Sequence, residues 1–225
     1  MMVFPAINCP EAGCVVDKLR RAEKYFPGAE WIHLDIADGQ FTFNRTWNDP
    51  VFWLNLAPRF RTEVHLMTEE PEKEAAVWLR HGAKRVIAHY ETFKDRHLEG
   101  RRILNRRIAD HLSALARQHD GELMIALNPE TTMEEVVPFL GEVRSFQIFA
   151  QAQPGPAAQP FLPAALDKIG RLRKLAPQAF IEVDGGIDPK TAAAAKAAGA
   201  DAVVSGTYLF HGENPAAAYA TLRAI

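Results

Sequence analysis

Short apolar segments of strand length alternate along this chain with longer segments whose apolar residues recur at helical spacing. The strand-like runs are MVFPAIN, WIHLDI, RTEVHLM, KRVIAH, LMIAL, SFQIFA, FIEVDG and DAVVSG. Across residues 101–119 the apolar positions fall three and four residues apart, which indicates an amphipathic helix. Gly82 and Gly199 come just after predicted helices, where glycine commonly ends a helix.

The alternation gives eight strand-then-helix units. The predicted helices lie at residues 10–25, 48–57, 71–81, 101–119, 133–140, 163–175, 189–198 and 214–225. Strict alternation predicts a parallel sheet, and eight units predict that the sheet closes. Since no linker or low-complexity tract interrupts the 225 residues, we expect residues 1–225 to form a single (β/α)8 TIM-barrel domain.

Composition and charge narrow the possible partners. With 24% charged residues and a net charge of −2, the chain indicates neither a nucleic-acid nor a membrane-surface partner. No apolar run approaches the roughly 20 residues of a membrane helix, and the first ten residues lack a signal-peptide pattern. Cys9 and Cys14 are too few for a disulfide framework, so we expect two reduced thiols in a cytoplasmic protein.

Polar residues with inward parity end three of the predicted strands. His33 and Asp35 alternate at the end of the second strand, His65 ends the third, and Asp184 ends the seventh. Barrel enzymes place their active sites at these strand ends. Each residue alone could be a hydrogen-bonded side chain or a helix cap. Together they predict one divalent metal, and the ligand types favour zinc, iron, cobalt or manganese over calcium.

The chemistry that uses such residues is proton transfer beside a carbonyl. A metal that binds the carbonyl and a neighbouring hydroxyl stabilises the ene-diolate formed on deprotonation. Asp35 and Asp184 come from well-separated strands, so they could flank a flat intermediate. One could remove the proton and the other return it, which predicts both as catalytic residues acting on a small sugar.

Around these residues the chain resembles the ribulose-phosphate 3-epimerase family, nearly from end to end. HLDIADGQFTFN is similar to the family's His-x-Asp-x-Met-Asp-Gly-x-Phe-x-x-Asn signature, and EVHLMTEEPE is similar to its second histidine motif. LNPETT and IEVDGGIDPKTAAAAKAAGADAVVSGTYLF match its late strands. The resemblance implies a ribulose-phosphate-binding barrel with His33, Asp35, His65 and Asp184 as metal ligands, and with Asp35 and Asp184 as the acid/base pair. It further implies an isomerase that epimerises a ketose phosphate in the pentose phosphate pathway, and a homo-oligomer.

Several positions depart from the family pattern. Ala37 and Ala150 stand where the family has methionines, so that only Met67 is left to pack against the intermediate. Cys9 aligns with the family's opening serine, which touches substrate. The loop after the sixth strand reads QPGPAAQ instead of Asn-Pro-Gly-Phe-Gly-Gly-Gln, and it keeps Gly155. Proline has no N–H for a phosphate and alanine limits close approach, so a different sugar is plausible.

Part of a phosphate site is still expected. Gly185, Gly186, Gly206 and Thr207 follow the last two strands, where barrels commonly bind phosphate, although tight turns alone would also explain these glycines. The long segment after the fourth strand could be a solvated helix face or could contact substrate or a neighbouring subunit. Its basic residues are Lys94, Arg96, Arg101, Arg102, Arg106 and Arg107.

Four functions stay open at this point. A metal-dependent epimerase of a ketose phosphate leads, and the same fold acting on a different or unphosphorylated sugar is the first alternative. A sugar-phosphate lyase is the second, but such enzymes usually carry a lysine near these strands and residues 31–67 contain none. A non-catalytic sugar-binding protein is the third, and the retention of all four metal-site residues argues against it.

Overall fold

Eight parallel strands close into a barrel in the computed structural model, which describes residues 1–93 and 106–225. Each strand pairs with its neighbours in sequence, and β8 pairs with β1 to complete the ring. The predicted (β/α)8 barrel is confirmed. The strands are β1 Met2–Ile7, β2 Trp31–Ala37, β3 Arg61–Met67, β4 Arg85–His89, β5 Glu122–Leu127, β6 Ser145–Phe149, β7 Phe180–Asp184 and β8 Ala202–Ser205.

Helices follow the strands and bury one face against them. In the helix Pro71–Arg80, for example, Ala75, Trp78 and Leu79 lie at helical spacing and are buried. Asp49 and Asp188 each accept a hydrogen bond from the first turn of the helix they precede. The helices are α1 Ala12–Tyr25, α2 Pro50–Asn55, α3 Pro71–Arg80, α4 Arg106–Gln118, α5 Met133–Val136, α6 Ala164–Leu175, α7 Pro189–Ala198, α8 Thr207–His211 and α9 Pro215–Arg223.

Two helical segments differ from the prediction. The predicted helix over 133–140 is α5 followed by a 3-10 turn at Val137–Phe139, since Pro138 has no N–H to continue an α-helix. Helix α8 was not predicted, because five residues are too short to show helical periodicity.

Aromatic and charged side chains lie together inside the barrel. Near the amino ends of the strands, the guanidinium of Arg85 lies 4.5 Å from the ring centroid of Trp31 and 4.9 Å from that of Phe180. Above it, Glu63 and Glu182 are fully buried. The large apolar core lies outside the strands, between them and the helices. Arg85 and Glu63 therefore form hydrogen bonds that reach the side chains at the carboxyl end of the barrel.

The expectation of two reduced cysteines is wrong for this structure, in which Cys9 and Cys14 form a disulfide with their Cα atoms 5.7 Å apart. The chain leaves β1 at Ile7 and enters α1 at Ala12, so the turn between them brings both side chains together. Sequence spacing alone could not show this approach, because it depends on how the turn folds.

The basic segment after the fourth strand lies only partly within the described residues. Lys94, Arg96, Arg101 and Arg102 lie outside the described residues, so their predicted roles stay predictions. Arg107 is exposed on α4, as a solvated helix face would require. Among the described residues, no helix combines the length and the apolar character needed to cross a bilayer.

Candidate metal centre and active site

Four side chains from three strands meet at the carboxyl end of the barrel. One ligand atom each from His33, Asp35, His65 and Asp184 lies within 4.8 Å of the other three. Asp35 Oδ1 is 3.3 Å from His33 Nε2 and 3.2 Å from His65 Nδ1. Asp184 Oδ2 is 3.4 Å from His65 Nδ1 and 4.0 Å from His33 Nε2. The structure thus brings all four predicted residues to one point.

This cluster has the charge and donor types that a divalent cation requires. Burial opposes ionisation of Asp35, but hydrogen bonds with His33 and His65 hold the pKa of Asp35 well below its usual range. Burial also opposes protonation of the two imidazoles, yet their hydrogen bonds to carboxylates raise the pKa of both rings. The site therefore favours positive charge at its centre. Two imidazole nitrogens and two carboxylate oxygens are a ligand group typical of zinc and similar metals.

Glu63 fixes the orientation of His33 from below. Its Oε1 lies 2.7 Å from His33 Nδ1, and its Oε2 accepts a hydrogen bond of 2.6 Å from Arg85 Nη1. Burial alone would raise the pKa of Glu63, but His33 and the charge of Arg85 lower it, so Glu63 is a carboxylate. A carboxylate that accepts a hydrogen bond from Nδ1–H leaves the Nε2 lone pair of His33 free to face the cluster.

A second buried carboxyl group lies beside Arg85. Glu182 Oε2 is 3.8 Å from Arg85 Nη1, and Glu182 Oε1 accepts a hydrogen bond of 3.0 Å from the amide of Gln147. Burial and the charge of Glu63 raise the pKa of Glu182 well above its usual value. Burial therefore favours the neutral form of Glu182, and Arg85 balances the charge of Glu63.

His65 is oriented by a chain of hydrogen bonds on the other side of the cluster. Its Nε2 lies 2.8 Å from His89 Nε2, and His89 Nδ1 lies 3.3 Å from Glu91 Oε2. The other oxygen of Glu91 accepts hydrogen bonds from the Asn128 N–H and the Thr131 hydroxyl. Burial and the charge of His65 lower the pKa of His89 despite Glu91, which favours the neutral imidazole.

A cavity of about 820 Å³ opens above the four side chains. This volume suits a small ligand. The carboxyl groups of Asp35 and Asp184 face it, whereas the rings of His33 and His65 are fully buried beneath. The predicted substrate-contact residues that line the cavity are Met67, Gly155, Gly185, Gly186, Gly206 and Thr207.

Cys9, also predicted to contact substrate, lies elsewhere. It is buried in the core between strands and helices and is bonded to Cys14. Ala6 and Asn8, on either side of Ile7, line the cavity in this part of the chain. The side chains of Ala6 and Asn8 share one side of the chain, and those of Ile7 and Cys9 share the other.

The two glycines after β7 line the cavity and also lie where close packing leaves no room for a side chain. Gly186 has φ 65°, and a Cβ atom there would lie 2.5 Å from the backbone nitrogen of Phe161. Gly185 has φ 107°, and a Cβ atom there would lie 2.5 Å from Gln151 Cγ. By contrast, a Cβ atom on Gly206 would meet nothing closer than 3.6 Å. Backbone conformation and packing therefore require glycine at Gly185 and Gly186 but not at Gly206.

The loop after β6 is tied to the active site through Asn8. The amide of Asn8 donates hydrogen bonds of 3.1 Å to both Asp35 Oδ2 and the carbonyl oxygen of Gly155. Gly155 has φ 108°, and a Cβ atom there would overlap Asn44. The altered loop therefore packs closely over the carboxyl end of the barrel. Its Gly155 borders the cavity, as the sequence predicts.

Phe149, the residue before Ala150, provides apolar surface in the cavity. Its ring centroid lies 6.2 Å from that of His65 and 6.0 Å from that of His89. Ala37 and Ala150 are buried and do not line the cavity. Phe149 and Met67 are thus two of the apolar residues that line this pocket, together with others such as Phe161, Ile187 and Val204.

Sequence reasoning missed several residues of the site. His89 ends β4 with the same inward parity as Arg85, so the rule that found His33 and His65 would also have found His89. Glu63 and Glu182 each lie two residues before a predicted ligand, on the same strand face. No sequence signal indicated Asn8 or Lys18, a residue of α1 that also lines the cavity.

The closed parallel barrel, with two histidines and two carboxylates beneath a cavity at its carboxyl end, defines a TIM-barrel enzyme with a candidate metal centre. The sequence profile of the ribulose-phosphate 3-epimerase family matches residues 14–210. Ribulose-phosphate 3-epimerase of Schizosaccharomyces pombe is 30% identical over 228 residues, 98% of this chain and 92% of that protein. The Chlamydia muridarum enzyme is 30% identical over 217 residues, 93% and 88% of the two chains. The chain belongs to the ribulose-phosphate 3-epimerase family, and it is a carbohydrate epimerase of the isomerase class.

Solved structures share the fold with lower sequence identity. A 3-hexulose-6-phosphate synthase superimposes with a TM-score of 0.72 at 19% identity, over 100% of this chain and 99% of its own. A 3-keto-L-gulonate-6-phosphate decarboxylase from Vibrio cholerae gives a TM-score of 0.70 at 14% identity, over 99% and 95%. At these identities the likeness shows the barrel alone.

Proposed function

We propose that this protein is a metal-dependent epimerase of a ketose phosphate, and that it inverts the carbon beside the carbonyl. The observation that carries the proposal is the approach of Asp35 and Asp184 to one point from strands β2 and β7. Both carboxyl groups border the cavity, so a bound sugar could lie between them. Family membership supports the same reaction type.

The metal ligands we propose are His33 Nε2, His65 Nδ1 and one oxygen each of Asp35 and Asp184. Zinc, iron, manganese and cobalt all suit this mixed nitrogen and oxygen donor group. A bound divalent cation would supply Lewis-acid stabilisation of the negative charge that develops on the substrate oxygens. Glu63 and His89 would hold the two imidazoles in the tautomers that this binding requires.

The proton transfer is assigned to the two aspartates. One carboxylate takes the proton from the carbon beside the carbonyl, and the electron pair of the broken C–H bond moves into the carbonyl to form an ene-diolate. The other aspartate, which carries a proton, delivers it to the opposite face of the same carbon. Phe149 and Met67 would exclude water from the flat intermediate, because both present apolar surface to the cavity.

Phosphate is proposed to bind at the ends of β7 and β8. Gly185, Gly186, Gly206 and Thr207 line the cavity there, and Gly155 borders it from the loop after β6. The Pro and Ala residues of that loop leave an unphosphorylated sugar as the alternative substrate. A lyase reaction is less well supported, since residues 31–67 offer no lysine beside the aspartates.

Solvent-deuterium incorporation tests the proposed function. The metal-loaded protein is incubated in D2O with ketoses that do or do not carry a phosphate, and NMR follows exchange at the carbon beside the carbonyl. Exchange into a phosphorylated ketose that stops on addition of a chelator is the expected result. Exchange into unphosphorylated sugars alone would establish the alternative substrate. No exchange with any sugar, despite bound metal, would contradict the proposal and favour a sugar-binding protein.

We further propose that residues 1–225 act as one barrel domain, that the protein self-associates and that it works in the cytoplasm. Self-association is an expectation from the family, and light scattering after size-exclusion chromatography measures it. Disulfides are rare in the cytoplasm, so the state of Cys9 and Cys14 in cell extracts tests the location. A fully oxidised pair after rapid thiol blocking would contradict it.

A further inference from the structure

Lys18 brings a cationic side chain from α1 into the active-site cavity. Its side chain is half-buried, and its ammonium donates a hydrogen bond of 3.0 Å to the carbonyl oxygen of Asn8. The only other lysine that lines the cavity among the described residues is Lys190, which is exposed. Of these two lysines, Lys18 is the one that is partly buried and held at the cavity wall by a hydrogen bond.

The ammonium of Lys18 has more N–H donors than its hydrogen bond to Asn8 uses. An ammonium carries three N–H donors, and one of them is directed to Asn8. Within residues 1–93 and 106–225, no carboxylate oxygen lies within 4.0 Å of Lys18 Nζ. The carboxylates of Asp35 and Asp17 act on this charge from a greater distance, so an anionic ligand in the cavity could still form a direct ion pair with the partly buried ammonium.

The position of Lys18 matches the proposed phosphate end of the cavity. Its Nζ lies 5.6 Å from the ring centroid of Phe210, a residue of helix α8, which begins at Thr207 directly after Gly206. Gly186, Gly206 and Thr207 line the same cavity. The ammonium thus lies beside the helix that follows β8.

The loop after β6 offers little to bind a phosphate, so a cation at the cavity wall would take over that role. Pro156 has no N–H to offer, and Ala157 and Ala158 carry side chains at the cavity edge, so this loop has few backbone donors free to approach a phosphate. A lysine is a point charge on a flexible stem and needs no close backbone approach. One ammonium can therefore replace contacts that the loop cannot make.

We propose that Lys18 binds the phosphate group of the ketose and is a specificity-determining residue for phosphorylated substrates. The inference rests on the proposed function, because it assumes that a sugar phosphate occupies the cavity. It assigns to α1 a binding role that no motif in the sequence indicates. It also explains how the protein could bind a phosphate ester although the loop after β6 is altered.

Calorimetric titration of the metal-loaded protein with inorganic phosphate tests this inference without catalysis. We expect Lys18→Met to weaken phosphate binding about tenfold or more, since a charged hydrogen bond is lost. Lys168→Met is the matched control, because Lys168 is also half-buried but donates to the backbone carbonyls of Asn128 and Pro129 outside the cavity. Phosphate should bind the Lys168→Met variant as it binds the unchanged protein.

Steady-state kinetics separates this inference from the proposed function. Lys18→Met should raise KM for the phosphorylated ketose about tenfold and change kcat little, because the contact is the same in ground and transition states. Lys18→Arg should restore part of the loss. Normal phosphate affinity in Lys18→Met, or equal losses in the Lys18 and Lys168 variants, would overturn the Lys18 assignment alone. Phosphate binding through Lys18 without any proton exchange would overturn the epimerase proposal instead.

Discussion

The Nε2 atoms of His65 and His89 lie 2.8 Å apart in the buried wall of the active site. Because two ring nitrogens share this contact, one must carry the proton and the other must accept it. If His65 Nδ1 binds a cation, its Nε2 carries the proton, and His89 accepts it while donating its own Nδ1–H to Glu91. The hydrogen-bond chain therefore has one arrangement of protons that suits metal binding.

This arrangement predicts a weaker metal site when His89 cannot accept a hydrogen bond. His89→Phe should lower metal affinity by about 10- to 100-fold, the usual effect of losing a partner that orients a metal ligand. Competition with a chromophoric chelator measures the affinity, and the Co²⁺ absorption spectrum reports the ligand geometry. His89→Gln, which keeps an acceptor, should lose less. Unchanged affinity and spectrum in His89→Phe would show that His65 needs no such support.

Asp184 is predicted to be essential for proton transfer but not for folding. Asp184→Asn should lower the deuterium-exchange rate by about 10²- to 10⁴-fold, because an amide cannot serve as acid or base. Its far-UV circular dichroism should match that of the unchanged protein. Asp17→Asn, on the exposed face of α1, is the control and should exchange normally. Exchange at the normal rate in Asp184→Asn would remove Asp184 from the acid/base pair.

Arg85 is predicted to be a major source of stability inside the barrel. Its guanidinium bonds Glu63 and Glu122 at 2.6 Å, and the Glu63 side chain is fully buried. Arg85→Met would leave the Glu63 carboxylate without its cation, so urea unfolding should show a loss of about 3–5 kcal/mol. Arg171→Met, which breaks only the exposed pair with Glu134, should cost about 1 kcal/mol or less. Similar losses in both variants would contradict a special role for the buried pair.

Gly186 is predicted to tolerate no side chain, whereas Gly206 should. Gly186→Ala places a methyl group 2.5 Å from the backbone nitrogen of Phe161 at a positive φ, so a destabilisation of about 1–3 kcal/mol is expected. Gly206→Ala meets ordinary contact distances and should stay within about 1 kcal/mol of the unchanged protein. Thermal unfolding of both variants makes the comparison. Equal stability of the two would argue against packing as the reason for Gly186.

The sequence by itself determined the barrel and the position of its four central side chains. Strand and helix periods are local properties, and the inward parity of His33 and Asp35 follows from the two-residue repeat of a strand. Once eight parallel strands close, their carboxyl ends share one rim, so Asp184 meets His65 although the two are far apart in the chain. That part of the site could be predicted because regular geometry fixes it.

Tertiary structure decided the contacts that regular geometry does not fix. The pairing of Cys9 with Cys14 depends on the shape of a turn, and the reach of Lys18 into the cavity depends on how α1 packs beside α8. Glu63 becomes a charged partner of His33 because the pairing of β3 with β4 places Arg85 beside it. Such contacts join side chains across the fold, and their energies depend on burial and on neighbouring charges, which exist only once the chain has packed.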